Sequence, residues 1–311
     1  SRSDYYLLLT DAETGEELAH AVLLIESLRT FGGEWNGAPV RVYIPARLAE
    51  KYPETVQRIN SLNGSCHGAP IPSRYAGRMY YAGKVYAASL AEVEVEACCD
   101  VLVWMDADTV FLDAPHCLML NEAAVFGYRP VMHNRSGVVY DAEPNPFWAR
   151  IYDLLGITGD MMFPMVTPAD EVTIQPYFNA GLLAVRPGAG ILRRWVLCFE
   201  ALCRDEMLVD MCMENVEHRI FLHQTALVGA VLPVLNRETM IELPDSVNYP
   251  LFFDRMYRAK GPFEDVNGKV TIRYDVYFRH PAPDWAECLR GDSSRVNWLK
   301  SRFAAIPSNG G

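Results

Sequence analysis

Residues 101–112 read VLVWMDADTVFL: five apolar residues, two aspartates separated by one alanine, then a second apolar run. An unbroken apolar run of this length between polar residues describes a strand buried on both faces, and such strands belong to parallel sheets covered by helices. Just upstream, from about Gly83, the residues Tyr86, Leu90, Val93 and Ala97 recur at helical spacing, which assigns Glu92, Glu94 and Glu96 mostly to solvent. Further upstream, Tyr5–Thr10 (YYLLLT) is a near-continuous apolar run closed by Asp11. Leu18, Val22, Ile25 and Leu28 mark a helix that Gly32 and Gly33 stop, and Val40–Ile44 is a second strand closed by Pro45. A helix from about Pro53 to Leu62 follows, then a Gly- and Pro-rich stretch from Asn63 to Gly77. Strand–helix alternation of this kind predicts an α/β fold with a mostly parallel, doubly wound sheet flanked by helices. Ligands of such sheets bind beyond the carboxyl ends of the strands, which is where the two aspartates fall.

Past residue 113 the pattern loosens. Val125–Arg129 reads as a strand, Pro146–Leu155 as a short helix, and the Met- and Pro-rich stretch Asp160–Pro176 as a loop or lid. Phe178–Arg186 (FNAGLLAVR) reads as another strand, stopped by Pro187-Gly188. Leu192, Trp195, Phe199 and Leu202 mark an amphipathic helix, Ile220–Val231 a further helix, and Val270–Tyr274 a late strand. The expected organisation is a single domain over 1–311, with 1–112 as a regular half and 113–290 as a less regular one.

Half of the 311 residues are apolar and 22% are charged, enough to bury a large core and far from a disordered composition. Lys and Arg number 28 against 39 Asp and Glu, a net charge of −11 with no basic cluster. A nucleic-acid partner needs a basic face to displace counterions, so that class is excluded, and an anionic ligand requires local positive charge or a metal. No apolar run is long enough to span a bilayer, and the N-terminus lacks a signal pattern. None of the eight cysteines forms a CxxC pair, and Cys98, Cys99 and Cys198 sit among apolar neighbours, so buried reduced thiols in a cytoplasmic protein are expected.

Asp106 and Asp108, at i and i+2 of an extended chain, point to the same side and suit one hard cation. Mg²⁺ or Mn²⁺ held there keeps positions open for water or a diphosphate. Aspartates that merely solvate a strand end are the plain alternative. With its flanks, GKVYAASLAEVEVEACCDVLVWMDADTVFL (83–112) resembles the donor-binding segment of GT-A glycosyltransferases, with closest similarity to glycosyltransferase family eight, which includes glycogenin and bacterial lipopolysaccharide galactosyltransferases. The resemblance implies a Rossmann-like GT-A sheet, with Lys84 facing the donor phosphates and Asp106, Ala107 and Asp108 at the metal and diphosphate. PYFNAGLLAVRPG (176–188) resembles the family's Phe-Asn-(Ser/Ala)-Gly strand, which implies that Asn179, Ala180 and Gly181 face the donor sugar. In HQTAL, Gln224 matches a glutamine near the reacting anomeric carbon, while His223 stands where the family has an aspartate that helps hold the sugar.

The family also has a late histidine that completes the metal site. His280 in RYDVYFRHPAPDWAE follows the last strand as that histidine does, although the glycine and Lys-Pro-Trp around it are missing. Thr10 and Asp11, at the end of the first strand, match by position the residues that bind base and ribose. The activity so implied is metal-dependent transfer from a nucleotide-diphosphate sugar, a UDP-sugar favoured, with retention, to a glycan, lipid-linked sugar, protein or small molecule. Asp108→Asn is then expected to abolish metal-dependent nucleotide binding and leave the fold intact.

Two other readings compete. VLVWMDADTV also fits the first motif of haloacid-dehalogenase-like phosphatases, with Asp106 as nucleophile, Asp108 as acid/base and Mg²⁺. That motif usually opens its fold, whereas two strand–helix units precede it here, and GDSSR (291–295) is the sole candidate for the later acidic motif. A non-catalytic sugar-nucleotide-binding protein is the third reading, kept open by His223 and the altered His280 segment.

Overall fold

The computed structural model describes residues 6–11, 13–69, 72, 74, 75 and 78–306. Strand and helix alternate through its first half: β1 (Tyr6–Asp11), α1 (Gly15–Phe31), β2 (Val40–Ile44), α2 (Ala46–Lys51), α3 (Pro53–Ser61), β3 (Gly64–Gly68), α4 (Ala82–Val95) and β4 (Val101–Met105). A capping box starts α1, with Thr14 Oγ1 accepting from the Glu17 N–H at 3.1 Å and Glu17 Oε2 accepting from the Thr14 N–H at 3.1 Å. The second half continues with β5 (Thr109–Phe111), β6 (Phe126–Tyr128), α5 (Pro146–Leu155), β7 (Met165–Val166), β8 (Thr173–Ile174), β9 (Leu182–Val185), α6 (Ile191–Arg204), α7 (Glu206–Glu214) and α8 (Val216–Val231). It closes with β10 (Met240–Glu242), β11 (Tyr249–Pro250), α9 (Phe253–Tyr257), β12 (Glu264–Asp265), β13 (Thr271–Arg273), α10 (Asp275–Phe278), α11 (Trp285–Cys288), β14 (Leu289–Arg290) and α12 (Ser293–Phe303).

Among the described residues the main sheet has seven strands in the order β10-β6-β9-β4-β1-β2-β3. Strand β9 runs antiparallel to both neighbours and the other pairings are parallel, so the mostly parallel sheet is observed. The period of two along β4 divides its side chains between the faces. Leu102 and Trp104 enter the core built with α4, α5, α6 and α8, while Val101, Val103 and Met105 enter the one built with α1. Because every β4 residue is buried, all five positions are apolar, and each contributes roughly 1.5–3 kcal/mol of burial for a side chain of Val or Leu size or above. A small second sheet, β11-β13-β5, lies on a third core closed by α12. Its antiparallel pairing sets Arg273 opposite Thr109, directly beyond the two aspartates. Among the described residues no helix is long and apolar enough to cross a membrane.

Several local expectations need correction. Glu92 is fully buried, whereas Val93 is 55% exposed. Ala87, Ala88 and Ala91 let α4 lie close against α6, and the Glu92 carboxylate caps that helix by accepting from the Leu192 and Arg193 N–H groups at 3.1 and 2.8 Å. The strand expected from Phe178 begins only at Leu182. Asn179 folds back, its Oδ1 accepting the Gly181 N–H at 2.8 Å, a side-chain turn that competes with strand pairing. Gly64–Gly68, inside the Gly- and Pro-rich stretch, is the polar edge strand β3, and 160–176, expected as a loop or lid, contains the small β7–β8 hairpin. Helix α8 begins at Val216, where the Asn215 side chain caps it. All eight cysteines are free thiols, but Cys98 is exposed.

Candidate active site

Immediately past β4 the chain turns instead of staying extended: the Thr109 N–H donates to the Asp106 carbonyl at 3.1 Å, and Thr109 Oγ1 donates to it at 2.7 Å. Both carboxylates still meet one cation, and it is a guanidinium. Arg273 places Nη1 3.1 Å from Asp106 Oδ2 and Nε 2.6 Å from Asp108 Oδ1. Lys84 Nζ lies 2.5 Å from Asp106 Oδ1, and the Asp275 N–H donates to Asp108 Oδ2 at 3.3 Å. Lys84 reaches this point from the first turn of α4, whose N-cap Tyr81 takes the left-handed conformation (φ 60°), and its ammonium lies 4.7 Å from the Tyr81 ring centre. Burial by itself would raise the Asp106 carboxyl, but Lys84 and Arg273 outweigh it and hold that carboxyl below the usual range. Burial would lower the Arg273 guanidinium, and Asp108 and Asp106 raise it instead.

The turn Asn179–Gly181 sits against this cluster, since the Asp106 N–H donates to the Gly181 carbonyl at 2.9 Å. Gln224, on α8, accepts the Ala180 N–H at 2.9 Å and so fixes the turn from behind. Asn248 Nδ2 donates to Asn179 Oδ1 at 3.2 Å. A side-chain carbon at position 181 would lie 2.5 Å from Arg273 Nη1 and 2.9 Å from Asn179 Oδ1, so Gly181 is the space into which the guanidinium fits. His223 is buried, donates from Nδ1 to the Ile220 carbonyl at 2.9 Å, and packs on Tyr81 with ring centres 4.5 Å apart. Burial, reinforced by Lys84, pushes its imidazole down to about 3, so His223 is neutral and cannot supply the negative charge of the aspartate it replaces.

Lys84, Asp106, Ala107, Asp108 and Arg273 line a cleft of about 320 Å³. Glu16, Glu17, His20, Asp275 and Arg279 form another part of its wall. Asn179, Asn248, His133, Tyr257 and, again, Arg273 line an adjoining cavity of about 190 Å³. Arg273 thus stands at the junction between a charged cleft and a smaller, amide- and aromatic-lined cavity.

The metal set expected from the sequence, Asp106, Asp108 and His280, is not assembled. Strand β13 ends at Arg273 and α10 spans Asp275–Phe278, and the cleft wall reaches Arg279 but not His280. His280 is exposed and lines neither cavity. Among the described residues, the group of three His or carboxylate ligand atoms within 4.8 Å of one another is Glu16, His20 and Asp275. Within it His20 Nε2 is 3.7 Å from Asp275 Oδ1 and 3.9 Å from Glu16 Oε1, and outside it His20 Nδ1 is 2.7 Å from Tyr274 Oη and Arg279 Nη2 is 3.0 Å from Asp275 Oδ2. At the aspartates themselves every carboxylate oxygen has an N–H or ammonium partner, and two negative charges face two positive ones. The donors there do not fit a divalent cation as they stand.

Thr10 and Asp11 end β1 beside Val42 and Tyr43, and their side chains lie outside the described residues. Arg273, Asp275, His20 and Asn248 escaped the sequence reading, although a lone arginine in the late strand VTIRYDV was a visible signal.

A family model described as the Rhodobacterales glycosyltransferase domain matches residues 11–233. No curated protein sequence matches the chain. Among solved structures, the bifunctional glycosyltransferase WbbM in its apo form shares 12% identity over 92% of this chain with a TM-score of 0.50, and the chain spans 51% of that protein. Apo mouse xyloside xylosyltransferase 1 shares 14% identity over 90% of this chain and 100% of its own, with a TM-score of 0.48. The galactosyltransferase LgtC, complexed with donor and acceptor sugar analogues, shares 13% over 97% of each chain, again with a TM-score of 0.48. The sheet is thus of the GT-A type, and the phosphatase and non-catalytic readings give way to a glycosyltransferase. With more than two thirds of its length matched, the chain belongs to the Rhodobacterales glycosyltransferase domain family.

Proposed function

We propose that this glycosyltransferase moves a sugar from a nucleotide-diphosphate donor, a UDP-sugar, to an acceptor hydroxyl with retention of anomeric configuration. The observation that carries the reading is Arg273 at the junction of cleft and cavity, where the bond between diphosphate and sugar would lie. Lys84 and Arg273 hydrogen-bond the diphosphate and stabilise the charge that grows on it as the glycosyl bond breaks. Asn179 orients the sugar by donating from its Nδ2, since its Oδ1 already accepts the Gly181 N–H and Asn248 Nδ2. Gln224 is a positioning residue, because its Oε1 is spent on the Ala180 N–H. Thr10 and Asp11 face the nucleoside, so 1–112 supplies the nucleotide half, and 113–290 supplies the sugar and acceptor half together with Arg273. The sequence resemblance supports the UDP donor and retention. The expected Mn²⁺ or Mg²⁺ enters no step here, because its donors are already paired to cations. Eight free thiols support a cytoplasmic setting.

Thermal denaturation with a panel of nucleoside diphosphates and their sugars tests the reading. A ligand at about 100 times its Kd adds about 2.7 kcal/mol, a rise in midpoint of roughly 4–8 °C at this chain length. One nucleotide should produce it, and Asn179→Ala should keep that shift while losing the increment that the attached sugar adds. No shift with any nucleoside diphosphate would defeat the proposal.

A further inference from the structure

We propose that Arg273 occupies the place of a divalent cation between Asp106 and Asp108, so that the donor diphosphate is bound and its leaving charge neutralised by the chain itself, without metal. The inference rests on the transferase reading above and deepens it. Arg273 contacts both aspartates at once, as a bridging ion would, with Nη1 on one and Nε on the other. Its place is built. Strand β13 is paired on one side to β5 and on the other to β11, which fixes the backbone of Arg273. On the far side Gly181 leaves room that any larger residue would fill, within 2.5 Å of the guanidinium. A cation entering between the aspartates would have to displace two charge-assisted contacts and then sit beside both Arg273 and Lys84, so like charge opposes it.

The guanidinium is suited to the substituted task. It remains charged at any working pH, its planar fork of N–H donors matches phosphate oxygens, and it borders the diphosphate cleft and the sugar cavity alike. On this account the aspartates are positioning residues that hold Arg273 and Lys84 in register. During transfer the bond from the anomeric carbon to the diphosphate oxygen breaks and its electron pair leaves with the diphosphate, where Arg273 and Lys84 donate hydrogen bonds. The acceptor oxygen forms the new bond to the anomeric carbon, and its proton passes to water. The rest of the cleft wall does not restore a ready ion site. Asp275 is paired with Arg279, His20 is tied to Tyr274, Glu17 is spent on the capping box of α1, and Glu16 is exposed.

The test is calorimetric binding of uridine and guanosine diphosphates to the full chain, in excess EDTA and in millimolar Mn²⁺. For the wild type the Kd should agree between the two media within about threefold, well under the tenfold that corresponds to 1.4 kcal/mol. Arg273→Met should weaken binding in EDTA by about tenfold or more, the effect of losing a charge-assisted bond, and Mn²⁺ should restore most of it because the freed aspartates now hold the ion. Mn²⁺ alone, followed by its paramagnetic resonance signal, should bind to Arg273→Met and not to the wild type. Arg273→Lys, which keeps the charge and fills similar space, covers the case in which the methionine variant fails to fold, and it should retain EDTA-resistant binding at reduced affinity. Wild-type binding that appears only with Mn²⁺ overturns the inference and leaves the transferase standing, as does EDTA binding that either variant leaves unchanged. Absence of nucleotide binding in both media overturns the transferase reading, and this inference with it.

Discussion

Neutralising Asp108 asks directly whether its carboxylate is a structural partner of Arg273 or a ligand waiting for an ion, because the two roles predict opposite signs. Two carboxylates prepared for an absent cation repel each other, and converting one to an amide relieves that repulsion and raises stability. Asp108 instead lies 2.6 Å from Arg273 Nε with its side chain 7% exposed, and it also accepts the Asp275 N–H. Removing one partner of a buried pair costs about 3–5 kcal/mol. Arg273 keeps Asp106 at 3.1 Å and is 23% exposed, which places Asp108→Asn nearer to about 2–3 kcal/mol. At this chain length each kcal/mol moves the midpoint by roughly 2–4 °C or slightly less, so thermal denaturation followed by circular dichroism, in EDTA without nucleotide, should show a fall of about 4–8 °C. In an Arg273→Met background the same substitution should have less than half that effect, since its partner is gone. A midpoint that stays put or rises would refute the pairing, and the expectation that this substitution spares the fold would stand.

Two further outcomes follow from buried carboxylates elsewhere. Burial pushes the Glu264 carboxyl up to about 7 from an ordinary 4.5, so the folded chain binds its proton more tightly than the unfolded one. The stability that Glu264 contributes is then fully present below pH 4.5 and is lost as pH rises through about 7, a loss of up to about 3 kcal/mol. Glu264→Gln should match the wild type in urea denaturation near pH 4 and exceed it by about 2–3 kcal/mol at pH 8, and equal stability at both would count against the shift. Glu92→Ala removes the carboxylate that caps α6 and also bonds Arg193 Nε at 3.2 Å, and should cost about 2–3 kcal/mol. A urea midpoint unchanged by that substitution would mean that the cap contributes nothing.

The sequence by itself determined the sheet and the place of the site, because both are written in local periods. The apolar run at 101–105 is the strand covered on both faces that its pattern describes, β2 follows the pattern of buried positions in the same way, and β1 pairs between them. The aspartates had to fall past the carboxyl end of β4. The Pro146–Leu155 helix was likewise legible to the residue, with Asn145 as its cap and Gly156 as its stop. What local pattern misled was burial on α4, where Glu92 looks solvated until α6 arrives with two unpaired N–H groups to satisfy.

Tertiary structure decided what the aspartates hold. Asp108 and Arg273 are 165 residues apart in the chain, and His20 and Tyr274 are 254 apart. No spacing rule reaches across such separations, since it is the pairing of β13 with β5 that sets Arg273 opposite Thr109. Position along the chain pointed to His280, but the cleft wall stops at Arg279, and the partner of the two carboxylates comes from seven residues earlier. A carboxylate pair in a sequence states only that a positive charge is wanted. The packing of a distant strand against a glycine chose a guanidinium to supply it.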